Sequence, residues 1–416
     1  MPPSEPPGPL PAPAGQPEPP RALRSGHPGR ASRSSRSLDS LVAAKEIVVV
    51  CGSGGVGKTT TAAAVAAMAV VHHGGRVLVV TVDPARRLAG ALGLAGIGND
   101  ATRIPAEAFA GAGVEPRGEL WAAMLDTRQS WDALVRRHAP DGDTERRILQ
   151  NPLYQNIAGK FVQSHDYIAM ERLYELHGEA RYDLIVVDTP PTRNAVDFID
   201  APQRMAELFS SRLLRLLIVP YRSRVVNFAS RPFYQVADRV LGSDFLSDIA
   251  EFFVLFQTMY SGFVERARSV ERLLRDRRTT FVVVSTLEAA AAREAELFVR
   301  ALRARRLPVG ALVLNRALPD YLLSDEARDG ASRLAAEAEG IAGELAALVG
   351  SDPDQLGRVL REVAETYRNL RVVARAEAAQ RDELGPLPDV VATAPEMEAD
   401  IYDLAGLLRL GRLIWR

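Results

Sequence analysis

Residues 52–59 read Gly-Ser-Gly-Gly-Val-Gly-Lys-Thr, which fits the pattern G-x-x-x-x-G-K-[ST]. In this pattern the glycines let successive backbone N–H groups curl round an anion, and the lysine reaches the outer phosphates of a nucleotide. The preceding residues Ile47–Cys51 have the composition of a buried strand, and residues 60–68 that of a helix. This order of strand, loop and helix favours a phosphate site over a glycine-rich turn with an incidental lysine.

Composition narrows the class of protein. With 416 residues, of which 47% are hydrophobic and 25% charged, the chain is long enough to bury a large core. The 51 basic and 52 acidic side chains nearly cancel, so the net charge of -1 gives no reason to expect a nucleic-acid partner. The single cysteine, Cys51, excludes a disulfide, a cysteine zinc cage and a cysteine-ligated iron–sulfur cluster within one subunit. We expect Cys51 to be a small core residue.

No stretch of the chain approaches the roughly 18 to 20 apolar residues that span a bilayer, so the sequence predicts no transmembrane segment. The N-terminus also lacks the apolar core of a secretion signal. We therefore expect a cytoplasmic protein, for which peripheral membrane association stays open.

The first residues differ from the rest in composition. Residues 1–20 contain ten of the 27 prolines, and residues 21–36 add five arginines among serines and glycines. Such a segment cannot bury enough apolar surface to offset its ordering entropy. The sequence predicts a disordered tail over residues 1–40 and one folded domain over residues 41–416.

Within that domain we predict a helical subdomain at roughly 201–276 and a second helical insertion at roughly 322–384. The large apolar residues of the first are typical of a subdomain core, and an exposed partner-binding groove is the alternative.

Near-continuous apolar runs recur along the chain and alternate with helical patterns, which is typical of parallel strands buried on both faces. Besides Ile47–Cys51 they occupy residues 76–82, 120–126, 184–187, 279–285, 309–315 and 390–395. The predicted fold is α/β, a doubly wound and mostly parallel sheet with a helical subdomain.

Polar residues at the ends of these strands are candidates for chemistry, because parallel α/β sheets bind ligands at their carboxyl edge. Asp83 is a catalytic candidate, although it also suits a helix N-cap. Asp188 is placed to hold the hydration shell of Mg²⁺ opposite the hydroxyl of Thr59, with a turn-forming aspartate as the alternative. Asn315 is a candidate for reading the adenine edge or a turn-forming asparagine.

Four motifs in this order resemble those of the ArsA family of P-loop ATPases, which includes the arsenite-pump ATPase and the targeting ATPase for tail-anchored membrane proteins. They are residues 52–60, Thr81-Val82-Asp83-Pro84-Ala85, Asp188-Thr189-Pro190-Pro191-Thr192 and Leu312-Val313-Leu314-Asn315. The resemblance covers roughly residues 45–410 and is strongest to the ArsA-type ATPases of actinobacteria. It implies a nucleotide-dependent dimer that binds ATP or ADP, with Mg²⁺ as the metal.

The resemblance also implies roles for single residues. Lys58, Asp83 and Asp188 are the implied catalytic residues: Asp83 positions the attacking water, and Asp188 begins the segment that senses the γ-phosphate. Thr59 and, through water, Asp188 are the implied Mg²⁺ ligands. The implied nucleotide contacts are Gly52, Ser53, Gly54, Gly55, Val56, Gly57, Lys58, Thr59, Thr60, Asn315 and Pro395.

Three features depart from the family. Ser53 stands where a second lysine usually reaches the partner subunit's nucleotide, so activation in trans is in doubt. The thiols that bind metalloid or clamp a dimer through zinc are absent. Arg193 follows the switch segment where small residues are usual, and it either replaces some of the missing charge or forms a structural salt bridge.

The leading hypothesis from the sequence is an Mg²⁺-dependent ATPase that opens and closes a homodimer or heterodimer around a hydrophobic protein client. The second is a nucleotide-binding regulatory subunit with weak activity of its own, paired with a paralogue that retains the lysine. A positioning ATPase like MinD or ParA is disfavoured by the lack of a terminal membrane-binding helix or a basic DNA face.

Overall fold

The computed structural model describes residues 37–82, 86–94, 96–157, 162–190, 200, 204, 207, 243–384, 388 and 390–415. Three parts of the sequence prediction lie outside the described residues: the site residue Asp83, the candidate Arg193 that follows the switch segment, and residues 1–36 of the tail.

The described residues contain one eight-stranded sheet with the strand order β3-β4-β2-β5-β1-β6-β7-β8. All neighbouring strands are parallel except β3 and β4, which pair antiparallel at one edge. This confirms the predicted α/β fold with a mostly parallel sheet. The strands are β1 (Ile47–Cys51), β2 (Gly75–Thr81), β3 (Thr102–Arg103), β4 (Gly118–Met124), β5 (Leu184–Asp188), β6 (Thr279–Ser285), β7 (Val309–Ala317) and β8 (Val390–Pro395).

Helices cover both faces of this sheet. In the described residues they are α1 (Leu38–Ala43), α2 (Lys58–His72), α3 (Arg86–Ala91), α4 (Ala106–Gly111), α5 (Thr127–His138), α6 (Gly142–Gln150), α7 (Pro152–Ile157), α8 (Val162–Gly178), α9 (Ser243–Gln257), α10 (Tyr260–Arg275), α11 (Ala289–Ala304), α12 (Asp325–Ala336), α13 (Ala338–Val349), α14 (Pro353–Leu384) and α15 (Leu404–Ile414). A 3-10 turn at Asp320–Leu323 precedes α12.

The central strand β1 shows why its sequence is apolar throughout. Val48 and Val50 point into a core cluster that contains side chains of α1, α2, α4 and α15. Ile47, Val49 and Cys51 point into a second cluster with side chains of α8, α10 and α11. Because successive strand residues face opposite sides of the sheet, a strand covered on both faces needs apolar residues at every position.

A third core cluster lies within the helices and is built from two distant parts of the chain. Side chains of α5, α6, α7 and α8 meet side chains of α9, among them Phe252, Leu255 and Phe256, and Met259 just beyond its end. At its centre the rings of Trp131 and Tyr167 stack with centroids 5.9 Å apart. Phe252, Leu255, Phe256 and Met259 are therefore core residues, while the helical subdomain over residues 201–276 stays a prediction.

The region predicted as a second helical insertion contains the 3-10 turn and the helices α12, α13 and α14. At the other end of the described chain, α1 begins at Leu38, two residues before the predicted end of the tail. Among the described helices, none combines the length and the apolar composition that a membrane crossing requires.

Candidate functional site

The loop between β1 and α2 carries the predicted phosphate site, and two of its glycines are required by its backbone. Gly52 has φ +149°, and a Cβ there would lie 2.1 Å from the carbonyl oxygen of Val284 on β6. Gly57, the N-cap of α2, has φ +95°, and a Cβ there would lie 2.3 Å from Nδ2 of Asn315. Any larger residue at either position would displace the loop.

Lys58 is the first residue of α2, and its side chain folds back over the loop. Its relative exposure is only 7%, and its Nζ donates a hydrogen bond of 2.8 Å to the backbone carbonyl of Ser53. The ammonium group therefore stays at the loop, where it complements the positive end of the α2 dipole for binding an anion.

Ser53, the residue that departs from the family pattern, has a partner within the chain. Its hydroxyl donates to a carboxylate oxygen of Glu294, an exposed residue of α11. A carboxylate thus lies next to the loop position at which the sequence resemblance implies a second lysine.

Asp188 lies beside this loop because of the register of the sheet. In the pairing of parallel strands, Asp188 on β5 is level with Val50 on β1 and with Thr81 on β2. Its Oδ2 accepts hydrogen bonds from the hydroxyls of Thr59, at 2.7 Å, and Thr81, at 2.9 Å. The side chain of Asp188 is 0% exposed, so the site holds a fully buried carboxylate fixed by two hydroxyl groups.

The donor set at this point fits the predicted metal. The hydroxyl of Thr59 and the carboxylate of Asp188 are oxygen ligands, the type that Mg²⁺ prefers, and they are already in contact. The two residues are those that the sequence predicts as Mg²⁺ ligands.

Asn315 reaches the loop through an irregularity of β7. The register between β7 and β8 shifts between Leu314 and Ala317, and Arg316 adopts φ +57°. Such bulges turn a side chain away from the direction it would take in a regular strand. The Nδ2 of Asn315 donates a hydrogen bond of 2.9 Å to the carbonyl of Val56. Asn315 therefore holds the loop through this hydrogen bond. Its predicted contact with adenine stays a prediction.

The remaining predicted nucleotide contacts lie at the same edge of the sheet. Pro395 ends β8 and is level with Ala317 of β7. Thr60 lies in the first turn of α2. The loop residues Gly54 and Gly55 are exposed, whereas Val56 is buried.

The segment that follows β5 is fixed to β1 at its first residue. The backbone N–H of Thr189 donates to the carbonyl of Val50 at 3.2 Å, and its hydroxyl donates to the same oxygen at 3.0 Å. Residues 191–199 lie outside the described residues. Because Thr189 bonds to β1, the strand that leads into the phosphate loop, both the start of this segment and the loop are attached to β1.

Cys51 lies under the loop as a core residue, as the sequence predicts. Its thiol donates to the carbonyl of Val282 at 3.5 Å, and burial raises the pKa of the thiol well above its ordinary value. Cys51 is therefore an enclosed core thiol.

Two residues of the site are not among those predicted from the sequence. Thr81 is a polar residue at the end of an apolar strand, which is the signal that could have identified it. The register of β2 and β5 places it level with Asp188, to which it donates a hydrogen bond. Glu294 carries no local signal, because it is 241 residues from Ser53 along the chain.

The strand, the glycine loop and the helix that opens with Lys58, at the carboxyl edge of a parallel sheet, define the P-loop class of α/β proteins. Within that class, the chain belongs to the anion-transporting ATPase family, the ArsA ATPases, whose family model matches residues 45–337. This confirms the predicted family, while the particular similarity to actinobacterial members stays a prediction. No curated protein matches the chain.

Proposed function

We propose that the chain is an Mg²⁺-dependent ATPase of the ArsA type, which uses ATP hydrolysis to open and close a dimer around a protein client in the cytoplasm. One observation carries this proposal: at the carboxyl edge of three neighbouring strands, the hydroxyl of Thr59 donates to Asp188 while Nζ of Lys58 is bonded to the backbone of the phosphate loop. Membership of the ATPase family supports hydrolysis as the reaction.

Each residue has a distinct part in this proposal. Lys58 exchanges the carbonyl of Ser53 for an outer phosphate oxygen and offsets the charge that develops there. Thr59 and, through water, Asp188 would hold Mg²⁺, which would supply positive charge against the phosphates. Asp83 orients the attacking water, a role that rests on the sequence motif alone.

Nucleotide binding is tested by Lys58→Ala, with Lys45→Ala as its matched control. Lys45 precedes β1 and therefore lies at the opposite, amino-terminal edge of the sheet. We expect Lys58→Ala to lower phosphate release by roughly two to three orders of magnitude and Lys45→Ala to leave it near the level of the unmodified chain. Equal phosphate release from the two variants would exclude the loop as the active site.

The catalytic step is tested by Asp83→Asn. This variant is expected to bind ATP normally and to release no phosphate, because an amide cannot accept the proton of the water. Undiminished phosphate release would show that Asp83 does not orient the water.

The dimer cycle and the client are tested together. Light scattering on the chain with ADP, and with a non-hydrolysable ATP analogue, is expected to show two states of the dimer that differ in compactness. A client is expected to co-purify with only one of them. Identical states under both nucleotides would remove dimer opening and closing from the proposal.

The second candidate, a regulatory subunit of a heterodimer, is favoured by Ser53 and its contact with Glu294. Such a chain binds ATP but hydrolyses it appreciably only with a paralogue that supplies the lysine. Steady-state phosphate release by the purified chain alone separates the two candidates, since appreciable turnover rejects the second.

A further inference from the structure

The helices α13 and α14 form a hairpin that lies beyond the family match, which ends at residue 337. This hairpin carries eight of the 13 large hydrophobic side chains that are exposed among the described residues. They are Leu345, Leu348, Val349, Val359, Val363, Leu370, Val372 and Val373. Such a concentration of apolar groups on two helices indicates an interaction surface.

The apolar residues of α14 are regularly spaced. Positions 356, 359, 363, 366, 370 and 373 alternate steps of three and four, and all are apolar except for a threonine at 366. This spacing is that of a coiled-coil seam. Within the seam Val363 is 52% exposed and Leu370 40% exposed. We call these six positions the α14 seam.

The α14 seam is separate from the face by which α14 packs within the chain. Each residue of that internal face follows a seam position by one residue along the chain. The buried residues among them are Gly357, Ala364, Arg371 and Ala374. The described part of the chain therefore uses one side of α14 and leaves the α14 seam exposed.

The exposed stripe of α13 lies on the same side of the hairpin. Gly357 packs against Ala342, with a Cβ at Gly357 placed 3.7 Å from that of Ala342, and Arg361 pairs with Glu339 at 3.0 Å, so the two helices are antiparallel. On α14 each exposed seam residue directly precedes a residue of the packing face. The same holds on α13, where the exposed Leu345 directly precedes the buried Ala346. In two antiparallel helices this equal offset of about 100° puts both stripes on one side.

We propose that this apolar side of the hairpin docks onto the same side of a second copy of the chain, with the two α14 helices antiparallel. The spacing is self-complementary, because the α14 seam pairs with itself when read in reverse. Position 356 then meets 373 of the second copy, 359 meets 370, and 363 meets 366. A twofold contact requires such reciprocity, in which each residue of a pair meets the other in both directions.

The charges beside the α14 seam are compatible with this pairing. Within positions 356–373, antiparallel pairing places Glu362, which flanks the α14 seam, near Asn369 of the second copy, so no like charges meet there. The exposed residues beside the apolar stripe carry both signs of charge, Arg358 as well as Glu362 and Glu365, and so they form no basic cluster of the kind that binds an anionic membrane surface.

The size of the face agrees with a modest but specific contact. Over residues 356–373 α14 is about 26 Å long, α13 is about 18 Å long, and each helix is about 10 Å wide. Two such faces together bury on the order of 1,000 Å², the lower limit for a specific protein interface. The contact goes beyond the proposed function, because it involves no part of the phosphate site and requires no nucleotide.

The first test is the oligomeric state of the full chain without nucleotide, measured by sedimentation equilibrium. We expect a dimer whose dissociation constant rises at least tenfold in Val363→Glu and in Leu370→Glu, because each copy would then bury a charge. Leu413→Glu is the matched control: Leu413 is 43% exposed on α15, and its substitution is expected to leave the dimer intact. A monomeric unmodified chain, or dimers unchanged by both seam variants, would overturn the proposal.

The second test fixes the orientation and does not depend on the folding of a glutamate variant. The only native cysteine, Cys51, is buried, so it does not interfere with introduced cysteines. Chains with Val359→Cys mixed with chains with Leu370→Cys are expected to form a disulfide between copies, while neither forms one alone. No crosslink in the mixture refutes the antiparallel contact. If the chain is a monomer and binds lipid vesicles or an apolar helical peptide through the α14 seam, that lipid or peptide is the partner and the contact between two copies is excluded.

Since both tests are made without nucleotide, their failure leaves the proposed ATPase untouched. Conversely, loss of phosphate release in the Lys58 variant does not bear on the hairpin contact.

Discussion

Asn315 lies two residues before the end of β7. One hydrogen bond, from its Nδ2 to the carbonyl of Val56, connects this strand to the phosphate loop. An amide is required there, because its nitrogen must donate to a backbone carbonyl. At the same site Gly57 leaves room for the amide, since any Cβ at Gly57 would overlap it. The pair Gly57 and Asn315 therefore sets the shape of the loop before any nucleotide binds.

We expect Asn315→Asp to weaken ATP binding more than Asn315→Ala does. The aspartate would place a carboxylate oxygen against the carbonyl of Val56 and a negative charge near the phosphates, whereas alanine removes only the hydrogen bond. Titration with a fluorescent ATP analogue is expected to show a loss of about tenfold or more for aspartate, and of a few-fold for alanine. Similar dissociation constants for the two variants would mean that the amide does not act through the loop.

Glu294 changes what a lysine at position 53 is expected to do. A lysine there would lie within reach of the carboxylate that now accepts from the serine hydroxyl, so it would form an ion pair within its own chain. We expect Ser53→Lys to leave the rate of phosphate release nearly unchanged. The double variant Ser53→Lys with Glu294→Gln is expected to raise it, by roughly tenfold or more, because its lysine is free to reach across a dimer.

Glu294→Gln alone is the control for this comparison. A rate increase in Ser53→Lys as large as in the double variant would show that Glu294 does not retain the lysine.

The thiol of Cys51 is expected to be inert in the folded chain. Burial raises its pKa, so the reactive thiolate is scarcely populated near neutral pH, and reagents have no access to it. Mass spectrometry after treatment with iodoacetamide at pH 8 is expected to find Cys51 unmodified in the native chain and modified after denaturation. Rapid modification of the native chain would contradict its enclosed position.

Among the elements, α14 is held by an unusually well-connected arginine. Arg371 is buried, and its Nη1 donates to the carbonyls of Leu322, at 3.1 Å, and Ser324, at 2.7 Å, and to the hydroxyl of Tyr367, at 3.1 Å. These bonds fix the 3-10 turn and the start of α12 to the middle of α14. They also hold α14 in the orientation that exposes the α14 seam.

Arg371→Leu is expected to loosen this junction, because the carbonyls of Leu322 and Ser324 each lose a charged donor and keep only the hydroxyl of Tyr367 and the backbone N–H of Arg328. The loss amounts to about 1.5–3 kcal/mol of local stability, the usual contribution of hydrogen bonds made by a charged group. Hydrogen exchange is expected to accelerate in the backbone of residues 320–336 and to stay unchanged in β1. Unchanged exchange in both regions would show that apolar packing alone holds the turn.

The elements also show what sequence can predict. The bounds of β1, β6 and β8 agree with the apolar runs in the sequence, because a strand buried on both faces is apolar at nearly every position. By contrast β3 has only two residues, Thr102 and Arg103, both exposed, and exists through its pairing with β4. No local pattern marks such a strand.

Long-range contacts set the remaining limit on prediction. The core of the helical layer joins Trp131 to Phe256 across more than a hundred residues, so no local pattern in either segment marks the contact. In the site, Asp188 and Thr59 were predictable as partners, because each ends or follows a strand at one edge of the sheet. Glu294 was not, because a glutamate in the middle of a charged helix has no pattern of its own.

At the scale of the whole molecule, the two ends of the described chain meet. The backbone N–H of Asp39 donates to the carbonyl of Trp415 at 3.2 Å, and Oδ1 of Asp39 lies 2.7 Å from Nε2 of His73 at the end of α2. Leu38 and Val42 of α1 are 0% exposed within the core on that face of the sheet. The helix α1 is therefore part of the domain and closes its core.

Two truncations are expected to differ sharply because of this helix. Deletion of residues 1–36 removes the proline-rich segment but keeps Ser37, which caps α1, and is expected to leave Tm unchanged. Deletion of residues 1–44 also removes Leu38 and Val42, whose burial contributes about 1.5–3 kcal/mol each, and is expected to lower Tm by roughly 5–10 °C. Equal Tm values for the two truncated chains, measured by calorimetry, would show that α1 only rests on the surface. Because α2 begins at the phosphate loop and its last turn contacts α1 and Trp415, the longer deletion is also expected to weaken ATP binding.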